Sequence, residues 1–262
     1  MARYILDQTW AAEAERLRGL ERWADPTTVD HLTRLGVGPG WRCLEVGGGA
    51  GSIARWLAER TAPYGQVTTI DLDTTLLEPL RDEGVEVIRA DLLGDPLPGG
   101  FDLVHARLVI GHLHDRRREG LERLVAALRP GGLLLVEEND FVWTEVASWP
   151  CHPERHGEMM TRAWRATIDL FRAGGYDGHW GRRLVGELRD LGLDGVAGEA
   201  RSRIDGSGTI VARLSVERFR DQLVAMGRLT DAEVDAYVAA LSDPEMVMTS
   251  PLQVSAWGRR PV

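Results

Sequence analysis

The sequence predicts a doubly wound α/β fold built on a mostly parallel sheet, with a helical cap. Three observations carry this. Short apolar runs alternate with helix-forming stretches from residue 42 to residue 137. Such alternation buries a parallel sheet between two layers of helices. Four glycines fall within five residues, Gly47, Gly48, Gly49 and Gly51, directly behind the first apolar run. After residue 140 the alternation gives way to a stretch rich in tryptophan and histidine.

The elements follow in order. Residues 9–22, TWAAEAERLRGLER, have the composition of a helix. Asp25-Pro26 is expected to end it, with a second short helix over Thr28–Leu35. The cluster Gly36-Val37-Gly38-Pro39-Gly40 breaks the chain. Strands are then expected at Arg42–Val46, Gln66–Ile70, Val85–Arg89, Phe101–His105 and Leu133–Glu137. Helices are expected between them at Ser52–Arg60, Asp73–Arg81 and Arg117–Leu128. The last has Leu121, Leu124, Val125 and Leu128 on one face and stops at Arg129-Pro130-Gly131-Gly132. Right-handed crossovers make the doubly wound topology the default.

Residues 141–181 hold four of the nine tryptophans, Trp143, Trp149, Trp164 and Trp180, together with His152, His156 and His179. A helix is expected from Pro153 to Arg172, placing His152 and His156 four apart on one face, and another over Arg182–Leu191. The tail returns to α/β character, with strands at Gly195–Ile204 and Leu252–Trp257 and helices at Val216–Met226 and Asp231–Leu241. The expected organisation is one domain over 1–262. Within it, 1–35 form a helical lid, 36–142 the cofactor-binding core, 143–192 a helical cap and 193–262 the remainder of the sheet.

The net charge of −9 argues against nucleic-acid or anionic-membrane partners, which call for a basic face. No run approaches the ~18 apolar residues of a membrane helix. The first residues, MARYILDQTWAAEAERLR, lack a basic region followed by an apolar stretch. Two cysteines, Cys43 and Cys151, do not make a disulfide framework. A cytoplasmic protein is expected.

A glycine-rich turn after the first strand of such a sheet binds a nucleotide-like ligand at the strands' carboxyl ends. A dinucleotide wants G-x-G-x-x-G, but position 52 is Ser52, and Glu45 sets a carboxylate where a pyrophosphate would lie. A ligand with a cationic amino-acid end reverses that objection. S-adenosylmethionine is such a ligand. Asp71, 20 residues beyond Gly51, ends the next strand and can accept from both ribose hydroxyls. Asp91 ends the third strand and can accept from an adenine amino group, with Leu92 packed on the ring.

Taken together, Glu45–Gly51, Asp71, Asp91, the segment Arg107–Leu113 and Leu128-Arg129-Pro130-Gly131-Gly132 resemble the successive motifs of class I S-adenosylmethionine-dependent methyltransferases. The resemblance covers roughly residues 36–140. It implies a Rossmann-like, seven-stranded sheet with an antiparallel last strand, supplied by Leu252–Trp257. It also implies that Glu45, Gly47, Gly48, Gly49, Asp71, Leu72, Asp91 and Leu92 surround the cofactor, with Arg107 near it.

The expected reaction is methyl transfer to a small-molecule acceptor by in-line displacement. Positioning and water exclusion then do much of the catalysis, and no catalytic triad is required. Trp143, Trp164 and His156 are the candidate substrate contacts, since aromatic faces suit a cationic sulfonium. His112-Leu113-His114-Asp115 is thin for a metal site, and no metal is expected. Two other readings stand beside this one: an NAD(P)-dependent oxidoreductase, and a cofactor-binding protein of the same fold that does not methylate.

Overall fold

The computed structural model describes residues 12–262. The strands are β1 (Arg42–Val46), β2 (Gln66–Asp71), β3 (Glu86–Arg89), β4 (Phe101–Arg107), β5 (Leu128–Asp140), β6 (Cys151–His152), β7 (Asp194–Arg201), β8 (Ile204–Asp205), β9 (Val247–Thr249) and β10 (Leu252–Arg259). The helices are α1 (Glu13–Arg34), α2 (Ser52–Thr61), α3 (Arg117–Ala127), α4 (Gly157–Ala173), α5 (Leu184–Asp190), α6 (Thr209–Arg218), α7 (Arg220–Ala225) and α8 (Asp231–Leu241). None of them is long and apolar enough to cross a membrane.

The chain divides into two compact units. Among the described residues, one comprises 24–138, 180–200 and 253–262; the other comprises 12–23, 139–179 and 201–252. The first holds a seven-stranded sheet in the order β3-β2-β1-β4-β5-β10-β7. The pairs β1–β2, β1–β4, β2–β3 and β4–β5 are parallel. Most of its buried strand residues are apolar, as a sheet covered on both faces requires, with Glu45, Thr68, Thr69, His105, Glu137, Glu138, Gln253 and Ser255 the buried polar exceptions. Cys43, Ile53, Leu57, Val67, Leu103 and Leu133 belong to one core cluster. The final strand, β10, lies between β5 and β7 rather than at an edge.

The second unit is larger than the expected cap over 143–192. Its core joins Phe141, Trp149 and Trp164 to residues of α6, α7 and α8 such as Val216, Leu223 and Tyr237. Residues 209–249 thus belong to this second unit. A small sheet, β6-β9-β8, completes it; its two-residue strands are too short for a period-2 signal. α8 opens on a capping box, with Thr230 and Glu233 satisfying each other's backbone N–H groups.

Four expectations of local structure change. α1 runs unbroken through Asp25-Pro26. Beyond the proline Thr28, His31 and Leu32 are buried, and that packing outweighs the hydrogen bond Pro26 cannot donate. The segment after β2 is helical only as a 3-10 turn, Glu78–Arg81. The helix expected over Val216–Met226 is instead two, α6 and α7, meeting at Phe219. α4 begins at Gly157, after a 3-10 turn over Glu154–His156, so His152 in β6 and His156 share no helix face. Trp10 lies outside the described residues.

Candidate functional site

The strand order turns back between β1 and β4, and the crevice at the carboxyl ends there is where a doubly wound sheet binds its ligand. The turn leaving β1 occupies it. Gly47 has φ +73° and Gly49 has φ +59°, backbone conformations that a side chain disfavours. The N–H groups of Gly47 and Gly48 donate to the Ile70 carbonyl at the end of β2, at 2.8 and 3.4 Å. A Cβ on Gly47 would stand 2.3 Å from Val109 Cγ2, and one on Gly48 2.4 Å from Thr69 Oγ1. Gly47 is therefore required twice over, by φ and by contact, while Gly48 is required by contact and Gly49 by φ.

Asp71 closes on this turn. Its Oδ2 accepts from Gly49 N–H at 3.1 Å and its Oδ1 from Asp73 N–H at 3.1 Å. Burial pushes its carboxyl above the ordinary range, against the backbone N–H groups of Asp73, Gly49 and Leu72, which pull the other way. A carboxylate offers about four acceptor positions, so capacity remains for hydroxyl donors. The neighbouring Leu72 is 48% exposed, an apolar side chain held at the mouth of the crevice.

The third strand's acid is arranged differently. Asp91 is exposed, and its Oδ1 accepts from Leu93 N–H at 2.8 Å. Its own N–H donates to Asp95 Oδ2 at 2.8 Å. Leu92 is buried, packed inward. Arg107, at the end of β4, donates to Asp25 Oδ1 and Thr28 Oγ1, each at 2.8 Å. It ties β4 to α1 within the sheet unit.

Glu45 is placed least as the sequence suggested. It is 3% exposed, and its Oε2 lies 2.6 Å from His105 Nδ1. His105 Nε2 lies 3.3 Å from Glu137 Oε2. Glu137 also accepts from Ser255 Oγ at 2.5 Å and from Thr28 Oγ1. Burial alone would lower the His105 pKa, but the Glu45 and Glu137 carboxylates outweigh it and push it up to about 9. Burial likewise would raise Glu137, but His105 holds it down at about 2. The pair is an imidazolium between carboxylates, and both its ring N–H groups donate.

Glu138 follows on β5. Its Oε1 accepts from Gly111 N–H at 3.0 Å, while Oε2 is buried without a hydrogen-bond partner. Burial pushes this carboxyl up to about 7, against the backbone N–H groups of Gly111, Ile110 and Val109. Those residues follow Leu108, whose φ of +58° is unusual for a side-chain-bearing residue. His105, Glu137 and Glu138 were not singled out from sequence. Their signal was available: charged residues inside the apolar runs DLVHA and LLLVEE must be paired if the strands are buried.

The aromatic candidates belong to the other unit. Trp164 is 7% exposed, stacks on Trp149 at 5.4 Å and meets Phe141 at 5.2 Å between ring centroids. It packs in that unit's core, with Nε1 lacking a hydrogen-bond partner. His156 ends the 3-10 turn before α4 and is partly exposed. Trp143 lies in a 3-10 turn over Val142–Glu145, and its side chain is outside what the structure describes. Among the described residues, no group of three or more His, Cys, Asp or Glu side chains could hold a metal ion.

A family model described as a methyltransferase domain matches residues 44–134. The ubiquinone/menaquinone biosynthesis C-methyltransferase UbiE of Bordetella parapertussis is 33% identical over 183 residues, 63% of this chain and 68% of that protein. UbiE of Laribacter hongkongensis is 34% identical over 120 residues, 43% of this chain and 49% of that protein. The chain thus spans about half the length of the latter. Among solved structures, phosphoethanolamine N-methyltransferase 2 of Haemonchus contortus, in complex with phosphomonomethylethanolamine and S-adenosylhomocysteine, superposes with a TM-score of 0.63 at 18% identity. That match covers 100% of this chain and 60% of the other, and it speaks to the fold.

Proposed function

This chain belongs to the class I S-adenosylmethionine-dependent methyltransferases, and we propose on that footing that it methylates a small-molecule acceptor at the carboxyl ends of β1, β2 and β4. The observation that carries this reading is the closure of Asp71 on the glycine turn through Gly49 N–H. It leaves a half-buried carboxylate with free acceptor capacity beside an exposed Leu72. That pair suits a nucleoside: hydroxyl donors for the acid, a ring face for the leucine. Asp91 supports an adenine contact less strongly, because one of its oxygens already closes an Asx turn.

The residues present fit the cofactor on chemical grounds. Asp71, beside the turn, is hostile to a pyrophosphate, which weighs against the dinucleotide reading, whereas the charge of Glu45 is met by His105. Gly47, Gly48 and Gly49 would take the amino-acid end against the backbone. Bound S-adenosylmethionine supplies a methyl group on a sulfonium, which needs no activation by a metal. What remains for the chain is to hold the acceptor in line and exclude water.

The acceptor being small is supported by the acidic balance of the chain, which offers no broad basic face. Two cysteines without a disulfide, Cys43 and Cys151, support a reducing cytoplasm as its compartment. Substrate contact by Trp143, Trp164 or His156 remains our proposal. For Trp164 it requires the core around it to open.

Calorimetric titration with S-adenosylhomocysteine and with NADH tests the reading. We expect S-adenosylhomocysteine to bind and NADH not to; binding of NADH alone would refute it. Accumulation of S-adenosylhomocysteine from S-adenosylmethionine with a panel of small acceptors then tests turnover.

A further inference from the structure

We propose that His105 is a positioning residue of the cofactor site, holding the glycine turn in place through Glu45. The inference rests on the reading of that turn as the cofactor's cradle. His105 stands directly opposite Glu45 in the register of β1 and β4. Glu45 is two residues ahead of Gly47, so whatever fixes Glu45 fixes the direction in which the turn leaves the strand.

The segment just after β4 holds the turn a second time. Val109, four residues beyond His105, packs on Gly47 so closely that a Cβ there would meet it at 2.3 Å. β4 and the segment that follows it therefore both hold the turn, the strand through the His105–Glu45 ion pair and the segment through the Val109 side chain. The strand's hold depends on charge. A buried carboxylate is stable only when paired and hydrogen-bonded. His105, at 2.6 Å, is the imidazolium that pairs with Glu45. Without that cation, Glu45 must take a proton, turn away or admit water, and each of these moves the residue before the turn.

The other groups facing this site are fixed by the same network. Glu137 of β5 accepts from His105, from Ser255 of β10 and from Thr28 of α1. His31 of α1 lies 3.7 Å from Glu137 and 3.2 Å from Glu199 of β7. Arg107 of β4 pairs with Asp25 of α1. Glu45 therefore does not serve as a direct counter-charge for a cationic ligand; its charge is already matched by His105. Its role at the turn is mechanical, and His105 sets it.

The test uses the full chain with S-adenosylhomocysteine as the probe, titrated against wild type, His105→Gln, Glu45→Gln and the double variant. Each single variant should weaken binding about tenfold, the scale of one charge-assisted hydrogen bond. The double variant should bind no worse than the weaker single, because both break one unit. Additive losses, or a His105→Gln variant that binds like wild type, would overturn the proposal.

A pH series from 7 to 10 separates positioning from general destabilisation. The probe's own amine titrates alike in both proteins, so the wild-type to His105→Gln affinity ratio isolates the imidazole. That ratio should fall towards one as pH rises through about 9. A constant ratio refutes the role. If circular dichroism shows His105→Gln unfolded, Glu45→Gln, which keeps the His105–Glu137 pair, carries the same comparison against wild type. If wild type binds no S-adenosylhomocysteine, the methyltransferase reading fails and this inference with it.

Discussion

Replacing Glu137 by glutamine should destabilise the protein by about 3 kcal/mol while leaving its shape nearly unchanged. The magnitude follows from the site. Three donors converge on this carboxylate: His105 Nε2, Ser255 Oγ and Thr28 Oγ1. Burial would raise its pKa, but His105, then Arg107 and Ser255, hold it at about 2 instead of the ordinary 4.5. That span is worth about 3 kcal/mol of preference for the ionised form in the folded state. An amide keeps the volume but forfeits the preference and leaves the His105 imidazolium with one partner, Glu45. In a chain of this size about 3 kcal/mol lowers Tm by roughly 6–12 °C.

The pH dependence fixes the sign. A depressed carboxylate pKa contributes stability present above 4.5 and lost as pH falls towards about 2. A raised histidine pKa contributes stability present below 6.5 and lost as pH rises through about 9. The network is therefore most stabilising between 4.5 and 6.5. Urea denaturation at pH 6, repeated at pH 3 and pH 9.5, measures it. The Glu137→Gln variant should lose most of its deficit at pH 3, where wild type is also weakened. A deficit under about 0.5 kcal/mol at pH 6, or one equal at all three pH values, would refute the charged-network assignment.

Other outcomes can be measured in parallel. Asp71→Asn should weaken S-adenosylhomocysteine binding by about 1–3 kcal/mol in calorimetry, the loss of a charged acceptor; unchanged affinity would remove Asp71 from the ribose contact. Gly47→Ala should cost about 1–3 kcal/mol of stability from the φ of +73° and the Val109 contact, and should weaken cofactor binding further. Glu138→Gln should flatten the pH profile: the raised pKa contributes stability present below 4.5 that is lost as pH rises through about 7, so the variant gains relative to wild type above that pH. Trp164→Ala should destabilise by about 3–5 kcal/mol in thermal melts, because the stacked side chain fills a core; a fully folded variant altered in acceptor KM alone would restore it as a substrate wall.

The parts of the fold legible in the sequence were those with a local cause. The strands Arg42–Val46 and Phe101–Arg107 announce themselves as apolar runs after breaker clusters, and the turn at Gly47 by its glycines. The acid at the end of β2, Asp71, was visible in the sequence, and its part in binding a ribose remains a proposal. What was not legible depends on partners distant in sequence. Pro26 reads as a helix end until Thr28 and His31 are found buried against β5 and β10. The helices after residue 208 read as sheet-associated until their apolar faces are seen packed on α4. His105 reads as an ordinary histidine in a strand until Glu45 and Glu137, 60 and 32 residues away, converge on it.

The two acids beside the glycine turn illustrate why residue type alone could not assign their roles. Glu45 and Asp71 end neighbouring strands and would both be drawn towards a cationic ligand. Asp71 is half-buried, accepts from two backbone N–H groups and keeps lone pairs for a donor that arrives from solvent. Glu45 is sealed behind the turn and matched by an imidazolium. Recognition of a cation's charge by Glu45 would require His105 to give up its proton first. That would leave Glu137 beside a neutral ring and forfeit the His105 share of the about 3 kcal/mol by which its ionised form is favoured. One ammonium contact at the edge of the crevice recovers less than that. On the proposed reading, selectivity against anionic nucleotides falls to Asp71 and the shape of the turn, with Glu45 as the anchor that keeps the shape.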